Sequence, residues 1–528
     1  MSIGTIVSRA TGVLRLAAMT AALGIAETRL TDTYNLANTA PNILYELVLG
    51  GVITSVFVPL FVEVLEKEDR ERSQEIFSAV LTVSLLGLTA LAIVGVLAAP
   101  WIAHFYASRL SGGVVEAQQR VITLWLRLFI PQVILYGLYF VSAAILNAHK
   151  RFGPPMYTPI LNNLVLIAVF IFFAASYGAV TLKRATSAQL MLIGLGTTAS
   201  VAPMGLALLP YVRRLIRYRF TLSLRHPSVR KLARLSGFVV GFVAVNQIGY
   251  VVIQWLANKQ QGGYSSYISA FTFFLLPIGL FVWSITTALL PALSSHAVNA
   301  RWPDFRRQLS AGVRATVFLM LPCTVGYLIL AEPVVRVLLQ HGVMTSDSTA
   351  LVASVLRWFV LALLPFSVFQ LSVRAFYALQ NTKTPFLSNC ALIALSTAIN
   401  IPMFTLFGVQ GLAAGQAIAY TFGIVLQARG LSTRGAGVEW RTVAASTARS
   451  AVAALGMGIA LWLAWHYAGP DTDASYVWQV GGLLTAALGG AAMYIGLAYI
   501  LRVPELGYLK EMFARRTGSR RVETPVSD

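Results

Sequence analysis

RRLIRYRFTLSLRHPSVRKLAR, residues Arg213–Arg234, holds eight lysines and arginines and is the most basic stretch of this chain. Six long apolar runs precede it, and six comparable runs follow before Arg429. A basic connection between two such sets reads as a cytoplasmic linker, in contact with anionic lipid, joining two related helical bundles. An apolar run of about 20 residues spans a bilayer. The predicted spans are roughly 3–25, 34–62, 75–106, 121–147, 155–177, 187–212, 234–257, 264–294, 310–331, 349–379, 385–407, 410–428, 446–468 and 478–501. The fold class expected is therefore an all-α polytopic membrane protein of about 14 transmembrane helices. Its predicted parts are a six-helix lobe over 1–215, a second over 216–430, a two-helix appendage over 431–502 and a basic cytoplasmic tail over 503–528.

Composition supports this. The 528 residues are 57% hydrophobic and only 11% charged, with a mean hydropathy of +0.71; a soluble domain carries roughly 25% charged residues. A soluble protein is excluded. The net charge of +20 would suit nucleic acid, but its distribution argues for topology instead. With the N-terminus placed in the cytoplasm, cytoplasmic loops and tail hold about 26 lysines and arginines, and the opposite loops about 7. This bias predicts both termini inside and an even number of spans. The first run reads as a retained helix rather than a cleaved signal peptide.

The two halves echo each other weakly. Pro131 precedes Asn147 by 16 residues, and Pro365 precedes Asn381 by the same distance. Repeated halves place a transport path at their interface. Prolines interrupt several spans, at Pro41, Pro59, Pro131, Pro277, Pro291, Pro322 and Pro365. Each removes a backbone donor and favours a kink, suited either to a rocking molecule or to static packing of irregular helices.

The first span carries two arginines, Arg9 and Arg15, in IVSRATGVLRL from Ile6 to Leu16. A central arginine costs roughly 3 kcal/mol or more to insert, so it faces a watery cavity, a partner or an anionic substrate. The planar guanidinium fork suits phosphate. At 1.5 Å per residue the two lie about 9 Å apart along a helix and point roughly 120° apart, so they line a wide cavity rather than form one clamp. Gly12 between them lets the helix bend or a neighbour approach. Acidic residues near the membrane reduce to Asp32, Glu46 and Glu63. Glu46 reads either as an ion-pair partner of Arg9 or Arg15, or as a proton-sensitive gate or a hydrogen-bond acceptor for a sugar or peptide. Arg127 and Arg357 read as snorkelling residues, and Arg374 reaches the cytoplasmic interface. Asn162, Asn163, Asn246, Gln247 and Asn389 read as interhelical hydrogen-bonding groups. Cys323 and Cys390 read as small core residues, and His149 and His341 are too scattered for a metal site. There is no HExxH, P-loop or CxxC. No enzyme activity, cofactor or metal is expected.

Four stretches carry a resemblance: Ser8-Arg9 through Gly12 to Arg15; Asp32, Pro41-Asn42 and Phe57-Val58-Pro59; ILNAHKRFGPPMYTPILNN (Ile145–Asn163); and LLPALSSHA (Leu289–Ala297), LAEPVVRVLLQHGVMTSDST (Leu330–Thr349) and RAFYALQNTKTP (Arg374–Pro385) in order. Over about residues 1–430 the chain resembles the MurJ/MviN lipid II flippases of the multidrug/oligosaccharidyl-lipid/polysaccharide exporter superfamily. The resemblance implies fourteen helices, two six-helix lobes in a V and two further helices shaping a groove for a polyprenyl tail. It implies translocation of lipid II, the undecaprenyl-diphosphate-linked peptidoglycan precursor, between leaflets of the bacterial plasma membrane. Arg9 and Arg15 match the family's first-helix arginines, and Asp32 and Asn42 match polar positions of its second helix. The candidate substrate contacts are therefore Ser8, Arg9, Arg15, Asp32, Asn42 and Glu46, with Gly12, Pro41 and Pro59 as gate or hinge. Tyr45-Glu46, Thr272, Gly50 and Leu16 depart from the family's charged positions, which makes the expected cavity less cationic. The lack of carboxylates in spans seven, eleven and twelve argues against a sodium site and leaves the membrane potential as drive. Two other readings stay open: a carrier of another polyprenyl-linked glycan, or a transport-inactive scaffold that recruits cell-wall synthesis proteins.

Overall fold

A computed structural model describes residues 2–46, 58–67, 69–221 and 227–507. Gly50 and all of the tail beyond Gly507 lie outside the described residues. Apolar sequence in a bilayer must satisfy its backbone internally, which helices do, and the described residues form helices without strands. The first set is α1 (Ser2–Leu23), α2 (Leu30–Tyr45), α3 (Val58–Lys67), α4 (Arg70–Ala107), α5 (Val114–Phe129), α6 (Gln132–Ala148), α7 (Gly153–Tyr177), α8 (Ser187–Leu206) and α9 (Leu209–Arg213). The second is α10 (Pro227–Ala257), α11 (Gly263–Pro277), α12 (Trp283–Val298), α13 (Trp302–Leu339), α14 (Ser346–Val360), α15 (Leu363–Ala378), α16 (Lys383–Phe407) and α17 (Val409–Ser432). Two more follow, α18 (Trp440–Ala468) and α19 (Tyr476–Ile500).

Each of the fourteen predicted spans coincides with helix in its described part. Among the described residues, ten segments are long and apolar enough to cross a membrane, or eleven if α14 and α15 count as one bent span. The count of fourteen is not reached on that measure. The shortfall falls on the spans that carry charge or lie partly outside the described residues: α1, which holds Arg9 and Arg15, the α2–α3 region and α10.

Local sequence explains where helices start and break. Asp69 caps α4 by accepting from Arg72 N at 2.8 Å. Thr186 and Gln189 form a reciprocal capping box at α8. Pro131 separates α5 from α6. Pro277 is followed by a π-helical turn, Ile278–Val282, before α12. The 47° bend between α14 and α15 sits where Pro365 has no N–H for the Leu361 carbonyl. Pro41, Pro291 and Pro322 stay within continuous helices.

Contacts group the chain into two compact units, one of 1–269, 338–352 and 396–412, the other of 270–337, 353–395 and 413–528. In the first, Phe61, Phe77, Val133, Ile145 and Leu208 are buried in one cluster that gathers α3, α4, α6 and the start of α9. In the second, Leu293, Phe305, Leu309, Phe376 and Leu431 join α12, α13, α15 and α17. There α18 and α19 pack on α13 through Phe318, Met457 and Tyr494. The same unit holds an internal ion pair: Arg314 Nε lies 3.1 Å from Glu505 Oε1, with the Glu505 side chain 3% exposed, and Ser446 Oγ donates to Glu505 Oε2 at 2.6 Å. Cys323 and Cys390 are free thiols.

Candidate functional site

The first compact unit carries the residues singled out on α1 and α2. Asn163 of α7 donates to Thr11 Oγ1 (3.0 Å) and to the Ser8 carbonyl (3.4 Å), which seats one face of α1 on α7. Arg9 and Arg15 are half-buried. Neither guanidinium has a hydrogen bond or ion pair among the described residues. Arg15 acts electrostatically on the buried Tyr34 and the partly buried Tyr136; Tyr34 is itself wedged edge-on against Trp125, Phe129 and Phe170. Gly12 lies between the arginines in height and in angle around the helix, and a Cβ added there would meet nothing within 4 Å. No close helix approach explains Gly12; the space beside it is open, between the two directions in which the arginines leave the helix.

The anticipated pairing of Arg9 or Arg15 with Asp32 or Glu46 is not what the geometry contains. Glu46 is half-exposed, and its carboxylate has no hydrogen bond or ion pair among the described residues. Asn42 Nδ2 donates to the Asn38 carbonyl at 3.0 Å, one turn back. Pro41 is buried within α2. Pro59 is the second residue of α3, a position where a proline fits a helix start; its side chain lies outside the described residues.

Asp32 is fully buried. Its carboxylate accepts from Gly262 N at 2.7 Å and from Ser265 N at 2.9 Å. These amides belong to the first turn of α11 and the residue before it, where free N–H groups and the helix dipole favour an anion. Asp32 thus offers no surface to a substrate in this conformation; it closes one helix end.

Glu27, in the corner between α1 and α2, does the same to a second helix. It accepts from Thr345 N and Thr345 Oγ1, both at 2.7 Å, just before α14, and from Ile25 N at 2.6 Å. Burial works to raise its carboxyl pKa. The hydrogen bonds from Thr345, Ser348 and Ile25 outweigh that and hold it below the usual carboxylate range. Around these anchors, Val343 N donates to the Ala21 carbonyl at 2.9 Å, Ala26 N donates to Ser348 Oγ at 3.0 Å, and Arg29 donates to the Asn258 carbonyl. Two glycines permit this closeness. Gly262 (φ +73°) would place a Cβ 2.8 Å from Ala26 Cβ, and Gly342 (φ +59°) 2.3 Å from Ala21 O. Sequence reasoning missed Glu27, Gly262 and Gly342. The legible trace was a Gly-x-x-Glu corner, Gly24 to Glu27, five residues before Asp32.

Other candidates take structural roles. Asn162 Oδ1 accepts from Ser200 Oγ at 2.7 Å. Arg357 lies 3.6 Å from Glu332 Oε2, and Arg336 lies 2.7 Å from Glu332 Oε1. Arg374 stands 5.7 Å from the Trp283 ring centre. Among the described residues, no group of three or more histidines, cysteines and carboxylates is placed to hold a metal ion.

Long apolar helices broken at prolines, with arginines that are unpaired among the described residues and stand beside open space, define a multi-pass membrane protein of transporter type. Its fold is shared with a solved structure of "Lipid II flippase MurJ, inward closed conformation", at a TM-score of 0.76 and 22% identity over 94% of this chain and 98% of that one. An inward-facing multidrug resistance MATE family transporter of the MOP superfamily aligns at a TM-score of 0.64 and 13% identity, over 82% of this chain and 98% of that one. Among curated relatives, "Probable lipid II flippase MurJ" of Rhizobium meliloti is 26% identical over 98% of this chain and 96% of its own length. "Lipid II flippase MurJ" of Burkholderia cenocepacia is 26% identical over 82% of each chain. The family model described as lipid II flippase MurJ matches residues 19–478; the chain belongs to that family.

Proposed function

We propose that this chain is a flippase that moves lipid II, the undecaprenyl-diphosphate-linked peptidoglycan precursor, from the inner to the outer leaflet of the bacterial plasma membrane by alternating access. The observation that carries this reading is the pair Arg9 and Arg15, unpaired among the described residues and flanking the open space at Gly12. Half-buried cations without a partner among the described residues call for an anion, and a diphosphate suits the guanidinium fork.

In this reading residues 1–215 and 216–430 form the two lobes, the tail of the substrate stays in lipid along 431–502, and both termini are cytoplasmic. The α1–α2 corner then lies at the outer side. The diphosphate enters from the cytoplasm and meets Arg15 and Arg9, while Ser8, Asn42 and Glu46 offer hydrogen bonds to the glycan or peptide. Neutralising the arginines lowers the cost of closing the inner side. Outward opening requires Asp32 to leave the start of α11 and Glu27 to leave the start of α14, with Gly12, Pro41 and Pro59 absorbing the bending. Asp32 acts here as a latch rather than as a substrate contact. The membrane potential supplies the drive, and no cofactor or metal takes part.

The test is lipid II exposure on the outer face of cells depleted of their own flippase and carrying this chain at matched expression. Wild type restores exposure, Arg15→Ala abolishes it, and Arg15→Lys keeps only part because bidentate geometry is lost. Unchanged exposure with both Arg9→Ala and Arg15→Ala overturns the arginine mechanism. No exposure with a well-expressed wild type moves the assignment to another polyprenyl-linked glycan or to a scaffold for cell-wall synthesis proteins.

A further inference from the structure

In the second compact unit an apolar crevice of about 240 Å³ runs between α13, α15, α17 and α18. Its walls are Val313, Val317, Val368 and Val443 with Pro365 at the bend between α14 and α15, so it reaches the buried cluster of this unit. It adjoins a wider recess of about 480 Å³ at the end of α17, and the two share Ile424, Ala428 and Trp440. The recess has a different chemistry. Arg429, Ser432 and Thr433 line it, beside the Trp440 ring, which is 55% exposed.

Arg429 is exposed, and its guanidinium has no hydrogen bond or ion pair among the described residues. The neighbouring Arg434 is occupied: it donates to the Gly430 carbonyl at 2.7 Å and to Thr384 Oγ1 at 3.3 Å. Arg441 and Glu439, both exposed, flank Trp440 in sequence and do not line the recess. Glu439 N donates to Ser310 Oγ at 2.8 Å, which ties the turn before α18 to α13. The mouth is thus cationic, hydroxylated and aromatic, while the interior is aliphatic.

We propose that this crevice is a binding site for an anionic glycerophospholipid, with the headgroup phosphate on Arg429 and the Ser432 hydroxyl and part of one acyl chain in the valine-lined interior. A neutral ligand leaves the free guanidinium unused, and a free anion leaves the interior unfilled; an amphiphile with a negative head answers both. The site lies at the end of the helices that the charge distribution assigns to the cytoplasm, where anionic headgroups meet basic pockets between helices. A tryptophan at the mouth suits the headgroup level. The inference invokes neither Arg9 nor Arg15, and the undecaprenyl phosphate arm below separates it from the substrate tail that the proposed function lays along 431–502.

The full-length protein in phosphatidylcholine nanodiscs with graded phosphatidylglycerol is released for native mass spectrometry, and retained lipid is counted. Wild type keeps one phosphatidylglycerol in preference to phosphatidylcholine. Arg429→Gln weakens this about fivefold. Val368→Phe, which fills the crevice and leaves the cation intact, weakens it as well. Equal retention by wild type, Arg429→Gln and Val368→Phe overturns the proposal, as does equal retention of phosphatidylcholine. Competition by inorganic phosphate at the lipid's own concentration overturns it in favour of a headgroup-only anion site. Displacement by equimolar undecaprenyl phosphate overturns it in favour of a carrier-lipid site.

Discussion

Two carboxylates separated by five residues do the same physical work on two helices. Asp32 satisfies the start of α11, and Glu27 satisfies the start of α14. Each replaces water at free N–H groups and complements a positive helix end. Only Glu27 lies outside a helix, and its folded pKa is depressed by the hydrogen bonds described above, against the effect of burial. A depressed carboxylate contributes stability that is complete above its unfolded pKa and is lost as pH falls through the folded value. The Glu27 latch is therefore expected to hold unchanged through neutral pH and to weaken only below about pH 4. Amide hydrogen exchange at Thr345, corrected for intrinsic rates, measures this. Protection should stay flat from neutral pH down to that range and disappear at all pH values in Glu27→Ala, which removes the acceptor. A loss of protection between neutral pH and about pH 5 contradicts the assignment.

At the scale of elements, proline decides where long helices break and buried charge decides how the last ones are held. Pro131, Pro277 and Pro365 coincide with a helix break, a π turn and a 47° bend, whereas Pro41 and Pro322 sit in unbroken helices. The outcome depends on whether neighbours re-satisfy the freed carbonyl, which composition does not reveal. The Arg314–Glu505 pair joins α13 to the segment after α19, and Ser446 brings in α18. Removing one partner leaves a charge buried in apolar surroundings. Glu505→Ala should cost about 3–5 kcal/mol in the docking of α18 and α19 on α13, read as a lower melting temperature and faster proteolysis near Arg502. The double variant Arg314→Met, Glu505→Leu should recover most of the loss. A Glu505→Ala protein that melts like wild type shows that the pair is hydrated instead.

At the scale of the whole molecule, the charge bias predicts an even number of crossings with both termini inside. With Cys323 and Cys390 replaced by alanine, a Ser519→Cys protein should resist a membrane-impermeant maleimide in intact cells and react after permeabilisation. An Asp473→Cys protein should react in both. The reverse pattern inverts the topology, and with it the direction of transport proposed here.

The helical, membrane-embedded class of this protein was readable in its residues because a bilayer imposes one rule on every span: twenty apolar residues, backbone bonds closed within the helix. The same rule made Arg9 and Arg15 conspicuous, since a guanidinium in such a run is an expense that composition alone exposes. Their lack of partners among the described residues needed the structure. So did the α1–α2 corner, where Glu27 meets Thr345, Ala26 meets Gly262 and Ala21 meets Gly342, each across more than two hundred positions. Asp32 shows the difference most plainly. Its charge and depth were visible in the sequence, but whether it faces a substrate or the end of α11 depends on which backbone amides fold against it. Those amides come from a residue pair more than two hundred positions away. Local pattern determines what a segment can bury; only the packed chain decides which unsatisfied group each buried charge will meet.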